Sequence, residues 1–147
     1  MRSMLRAFAL TVLCVLVVGA CARTEPEQAL RRDIAAMQSA IEAREAGTLA
    51  DGLAEDFVGP QGMDRTAARR LAQVVFLRNR SVGATFGPLD IAMGASGRDA
   101  TVKFTAAVTG GSGALLPSSG QDYDVTTGWR TDGDTWQLVA ADWTPKL

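Results

Sequence analysis

Residues 129–138 read Trp129-Arg130-Thr131-Asp132-Gly133-Asp134-Thr135-Trp136-Gln137-Leu138, and they decide the fold. Asp132-Gly133 is a hairpin signal, because a tight reversal needs residues that tolerate positive φ. Before it, Tyr123, Val125, Thr127 and Trp129 alternate with Asp122, Asp124, Thr126 and Arg130. A period of two marks a strand with one buried face. After it, Thr135 to Thr144 is the last strand and is apolar on both faces. Trp136, Leu138 and Ala140 share one face; Val139, Ala141 and Trp143 share the other. Upstream, Val102, Phe104, Ala106 and Val108 alternate with Thr101, Lys103, Thr105 and Ala107, which predicts another strand. Leu89, Ile91 and Met93 alternate as well, with Phe86 thrown out of phase by a bulge at Gly87-Pro88. Thr109 to Gly120 is a Gly/Ser/Pro-rich connection. Its Gly110-Gly111-Ser112-Gly113 lacks the lysine of a phosphate loop and leads into no helix.

Earlier in the chain the period changes. From about Glu27 to Ala46, Leu30, Ile34, Met37 and Ile41 recur at spacings of four, three and four, one helical face. Gly47 is the expected stop. Thr48 and Asp51 resemble a capping box for a short second helix with Leu49, Leu53 and Phe57 on its buried side. Gly59-Pro60-Gln61-Gly62 is a turn. Asp64 is an expected N-cap for a third helix, whose apolar face is Ala67, Ala68, Leu71, Val74, Val75 and Leu77 and which ends before Gly83. Helices first and antiparallel strands afterwards predict an α+β fold, with the N-terminal helices packed on one side of a sheet. The expected core is Ile34, Met37, Ile41, Leu53, Phe57, Leu71, Val75, Val102, Phe104, Val125 and Leu138.

Composition narrows the chemistry. The chain has no histidine, so Ser-His-Asp and Cys-His nucleophile systems are excluded, along with the commonest metal ligand and neutral-pH base. Its two cysteines, Cys14 and Cys21, both lie in the first 21 residues, so zinc sites of the Cys/His kind are excluded from the domain. No metal site and no cofactor is expected. Acid–base work is left to carboxylates, Tyr123, Lys103 and Lys146. Removing Arg2 and Arg6 from the 15 basic residues leaves 13 against 16 acidic ones, a net charge of −3. That balance gives no overall nucleic-acid footprint.

The N-terminus is the clearest address. Arg2 and Arg6 precede the apolar run Ala7 to Val18, and Val18-Gly19-Ala20-Cys21 brings small residues up to a cysteine. The run is too short to span a membrane, which takes about 20 apolar residues, and it fits a secretory signal peptide. The cysteine site resembles the lipobox of bacterial lipoprotein precursors, with Val18 where leucine is usual. The resemblance implies a signal peptide over 1–20, lipidation of Cys21, a tether over 21–28 and one folded domain over 29–147. It implies a cell-envelope protein anchored to a membrane through the lipid. By the resemblance to sorted lipoproteins, Ala22 in place of Asp after the cysteine implies the outer membrane, facing the periplasm, in a Gram-negative cell.

The order of elements resembles the nuclear transport factor 2-like superfamily, which includes the SnoaL-like polyketide cyclases and ketosteroid isomerase. The resemblance is carried by the long first helix, the short second one, Leu53-Ala54-Glu55-Asp56-Phe57-Val58, Gly62-Met63-Asp64-Arg65 opening the third helix, and the 129–138 hairpin. It implies a cone: a curved sheet wrapped round a helix, with a pocket at the open end and often a homodimer through the sheet. SnoaL-type catalysts commonly use histidine with a carboxylate. The isomerases use a first-helix tyrosine as oxyanion donor. This chain has no His and no Tyr in that helix.

Asp142 keeps the phase of Trp136, Leu138 and Ala140, so alternation points its carboxylate inward. Apolar surroundings would raise its pKa and suit it to act as a base; a strand fraying at that point would leave it solvated. Tyr123, Trp129 and Trp136 either line a ligand pocket with Asp142 or form ordinary core. Arg65, Arg69, Arg70, Arg78 and Arg80 crowd the third helix, either to meet anionic lipid heads or a cell-wall polymer, or as a solvated face. Two functions follow. One is a noncatalytic module that binds a small hydrophobic molecule or a protein. The other is a SnoaL-like isomerase or hydrolase working through Asp142 and Tyr123.

Overall fold

A computed structural model of the protein describes residues 25–110 and 120–147. The expected signal peptide, Cys21 and the start of the tether lie outside the described residues, as does 111–119 of the Gly/Ser/Pro-rich connection.

Helix α1 spans Glu25–Glu42 and buries Leu30, Ile34 and Ala40. It takes in residues 25–28, expected as the end of the tether. Glu25 and Glu27 lie in the first turn, where the helix dipole favours negative charge. The helix ends four residues before the expected Ala46, and the break falls at Arg44, not at Gly47. Arg44 has φ 59°, a conformation costly for a side chain with a Cβ. Its Nη1 donates to the carbonyls of Phe76 (3.3 Å) and Asn79 (3.0 Å), which holds it there. Helix α2, Ala46–Asp51, therefore starts before Thr48 and has no side-chain cap. The expected capping box does not form.

Leu53–Val58 is a strand, β1, where the second helix was expected to continue. Leu53 and Phe57 are four apart. That spacing suits a helical face, but four is also even, so it equally suits one face of a strand. Tertiary pairing decides the matter. β1 runs parallel to the last strand, with Leu53 opposite Leu138 and Val58 opposite Ala140, and Leu138 N–H donates to the Gly52 carbonyl. After a 3₁₀ turn at Pro60–Gly62, helix α3 spans Arg65–Arg78. The Asp64 carboxylate accepts from the Ala67 N–H at 2.7 Å, as expected of an N-cap.

The six-stranded sheet is curved and unclosed, with helices on one side. Its other strands are β2 (Val82–Phe86), β3 (Asp90–Met93), β4 (Asp99–Gly110), β5 (Gln121–Thr131) and β6 (Trp136–Pro145), and the order is β1-β6-β5-β4-β2. The segment from Phe86 to Met93 is two elements, not one bulged strand. β2 pairs with the Ala106–Gly110 half of β4 and β3 with the Ala100–Lys103 half. All pairs are antiparallel except β1 with β6. The Asp132-Gly133 turn forms, with Gly133 at φ 117° and the Asp132 carboxylate accepting from the N–H of Asp134 and Thr135.

Apolar packing falls into two clusters. The larger joins Leu30, Ile34, Leu53, Phe57, Val102, Trp129, Trp136 and Leu138; the smaller joins Ala72, Phe76 and Val82. Leu71 was expected in the core but is 42% exposed. α3 faces inward through Ala68, Ala72 and Phe76, each four residues from the next, so Leu71 falls on the flank.

Candidate functional site

A cavity of about 360 Å³ opens between the helices and the concave face of the sheet. α1 supplies Met37 and Ile41, α2 Leu49, and α3 Leu71 and Phe76. β2 and β4 supply Phe86 and Phe104. β5 and β6 supply Tyr123, Val125, Ala141 and Trp143. Phe86 and Phe104 meet with ring centroids 4.8 Å apart and planes inclined at 44°. The volume lies toward the lower end of the usual range for small-molecule sites, and an apolar lining with few polar groups is the usual composition.

The lining explains why the expected core was only partly buried. Met37, Ile41, Phe104 and Val125 have the inward phase that the sequence predicts, yet all are half-buried because they face this space. Thr127 also lines the cavity, with its hydroxyl committed elsewhere. It accepts from Trp129 Nε1 at 2.8 Å and donates to the Val102 carbonyl at 3.1 Å. Arg69 and the Tyr123 hydroxyl are left as the groups able to orient a polar atom of a ligand. The lining contains no carboxylate.

The four residues expected to share a pocket are split. Tyr123 lines the cavity. Trp129 and Trp136 are buried in the larger core cluster and do not line it. They edge a separate recess of about 200 Å³ with Asp33, Asp51 and Gln137, and Asp33 there accepts from the Trp136 N–H at 2.8 Å. Asp142 does not point inward. Between Trp136 and Asp142 the ladder slips: Trp129 pairs with Leu138, but Gly128 pairs with Ala140, leaving Val139 as an extra residue. Such a bulge shifts the phase of every later side chain. Ala141 and Trp143 turn to the cavity, and Asp142 stands opposite Thr126 on the exposed outer face.

Sequence reasoning passed over Phe76, Met63, Arg69 and Trp143 as cavity residues. Phe76 was legible, since it lies four residues beyond Ala72 and eight beyond Ala68. Trp143 was not, because its inward direction depends on the bulge. Among the described residues, no group of three or more acidic, Cys or His residues is placed to hold a metal ion, and no helix is long and apolar enough to cross a membrane.

Likeness to solved structures is broad and remote in sequence. A Streptomyces avermitilis protein of the nuclear transport factor 2-like family, named as a dehydratase, superposes with TM-score 0.72 at 16% identity, covering 85% of this chain and 99% of that one. The hexachlorocyclohexane dehydrochlorinase LinA-type3 of Novosphingobium barchaimii LL02 gives TM-score 0.65 at 14% identity, over 82% and 86% of the two chains. Bd1075 of Bdellovibrio bacteriovorus gives TM-score 0.70 at 15% identity over 81% of this chain, which spans only 41% of Bd1075. No family model matches the chain, and no curated protein matches it in sequence.

Proposed function

We propose, from a chain with the nuclear transport factor 2-like fold and a cavity in its cone, that this is a lipid-anchored cell-envelope protein holding a small hydrophobic molecule. The reading is of a receptor and not a catalyst. One observation carries it: a cavity of about 360 Å³ lined by aromatic and aliphatic side chains, with Arg69 and Tyr123 as its polar handles and no carboxylate. Water in such a space has few partners, so an apolar molecule gains by displacing it. The SnoaL-like alternative needs a base on the cavity wall, and Asp142 stands on the opposite face of the sheet. The anchored part of the proposal rests on the Val18–Cys21 site.

The test is binding of the neutral dye N-phenyl-1-naphthylamine to the full chain in mild detergent. Ala141→Phe places a ring in the cavity from β6. Its dye affinity is expected to fall at least tenfold while the far-ultraviolet circular dichroism is kept. Unchanged affinity in a folded Ala141→Phe variant would remove the cavity as the site. Anchoring is read separately by cell fractionation: wild type is expected with membranes and Cys21→Ser in the soluble fraction.

A further inference from the structure

The outward face of α3 is unlike that of a helix that meets only water. Leu71, Val74 and Leu77, at intervals of three, are 42%, 40% and 87% exposed. Arginines surround them, and no Asp or Glu occurs between Arg65 and Leu89, in a chain whose net charge is −1. Arg65 is engaged by the Ala50 carbonyl and Asp51. Arg69, Arg70 and Arg80 make no ion pair among the described residues.

We infer that this face lies on an anionic lipid surface, with Val74 and Leu77 in the headgroup–acyl boundary and the arginines on the phosphates. An interfacial helix has this composition: apolar side chains that enter the boundary, and fixed cations beside them. The charge is complementary to anionic phospholipid, and each arginine near such a surface raises partitioning roughly fivefold. The chain outside the described residues points the same way. Cys21 lies four residues before α1, a reach of at most about 14 Å, so the anchored reading above, on which this inference builds, keeps the domain beside a bilayer. Arg69 and Leu71 belong both to α3 and to the cavity lining. Docking through α3 therefore sets the rim of the cavity against the lipid, where an apolar ligand can pass without crossing water.

The test uses the full chain with Cys14→Ser and Cys21→Ser, and Leu77→Cys labelled with a polarity-sensitive nitrobenzoxadiazole dye. This chain carries no lipid on residue 21, so the outcome does not depend on whether the protein is a lipoprotein. A label at Thr126→Cys, on the outer face of the sheet, is the control. With vesicles of phosphatidylglycerol and phosphatidylcholine in equal parts, the label at 77 is expected to shift to the blue and to be quenched by acyl-brominated lipid. Salt should weaken both effects. The label at 126 should not respond. Arg70→Gln with Arg80→Gln should lower partitioning about 25-fold, at fivefold for each arginine. A label at 77 that stays in water on anionic vesicles, or responds equally on pure phosphatidylcholine, would overturn the inference. So would an Arg70/Arg80 variant that partitions like its parent.

Discussion

Thr127→Val keeps the shape of a buried side chain and removes its oxygen. That oxygen accepts from the Trp129 indole at 2.8 Å and donates to the Val102 carbonyl at 3.1 Å, and Thr127 and Trp129 are only 5% and 4% exposed. Valine therefore leaves a buried N–H without its acceptor, at a cost of about 1–3 kcal/mol. Exchanging hydroxyl for methyl returns up to ~0.8 kcal/mol of apolar burial. The net loss should be about 1–2 kcal/mol. In a Trp129→Phe background the indole donor is already gone, so Thr127→Val should there cost less than ~0.5 kcal/mol. Urea unfolding of the four proteins, with unchanged m-values, gives the coupling, expected to be about 1–1.5 kcal/mol. Equal losses in both backgrounds would show that the indole does not depend on this hydroxyl.

Phe104→Ala enlarges a space that already exists, so it should cost about 2 kcal/mol in the same assay, below the ~3–5 kcal/mol of a fully packed phenylalanine. At residue 44, Arg44→Gly should be more stable than Arg44→Ala by about 1 kcal/mol in thermal melts, since both lose the bonds to Phe76 and Asn79 but only glycine accepts φ 59° without strain. The Arg130 guanidinium, hydrogen-bonded to Asp56, lowers the Asp56 pKa, and the N–H groups of Asp134 and Thr135 lower that of Asp132. A depressed carboxyl favours the fold above the ordinary value of about 3.9, and that contribution is lost as pH falls through the folded value. Carboxyl-carbon NMR titration should place both midpoints below the ordinary value, and Arg130→Gln should raise that of Asp56 alone.

The parts of the fold read correctly from sequence were those set by local chemistry and unbroken period. Asp64 caps α3, the 102–108 alternation holds, and Asp132-Gly133 turns the last hairpin. Errors arose where pairing with a distant segment decided the outcome. Leu53 and Phe57 satisfy helix and strand alike until β6 supplies a partner for their backbone. Arg44 ends α1 because carbonyls at the end of α3, more than 30 residues away, take up its guanidinium. The cavity was half legible. An inward phase marked Met37, Ile41, Phe104 and Val125, but periodicity cannot tell a side chain that meets a neighbour from one that meets a void. Asp142 was misplaced because alternation was carried through a residue that does not alternate.

Val139 acts as a frame shift in three dimensions. Deleting that one residue would close the ladder and leave 140–145 facing as they do, because each keeps its partner on β5: Trp143 stays on the cavity wall and Asp142 outside it. An acid reaches this wall by substitution at Ala141 or Trp143, in apolar surroundings where burial raises a carboxyl pKa toward the range useful in proton transfer. On this scaffold, one codon at either position separates a wall of aliphatic and aromatic groups from one equipped to take a proton.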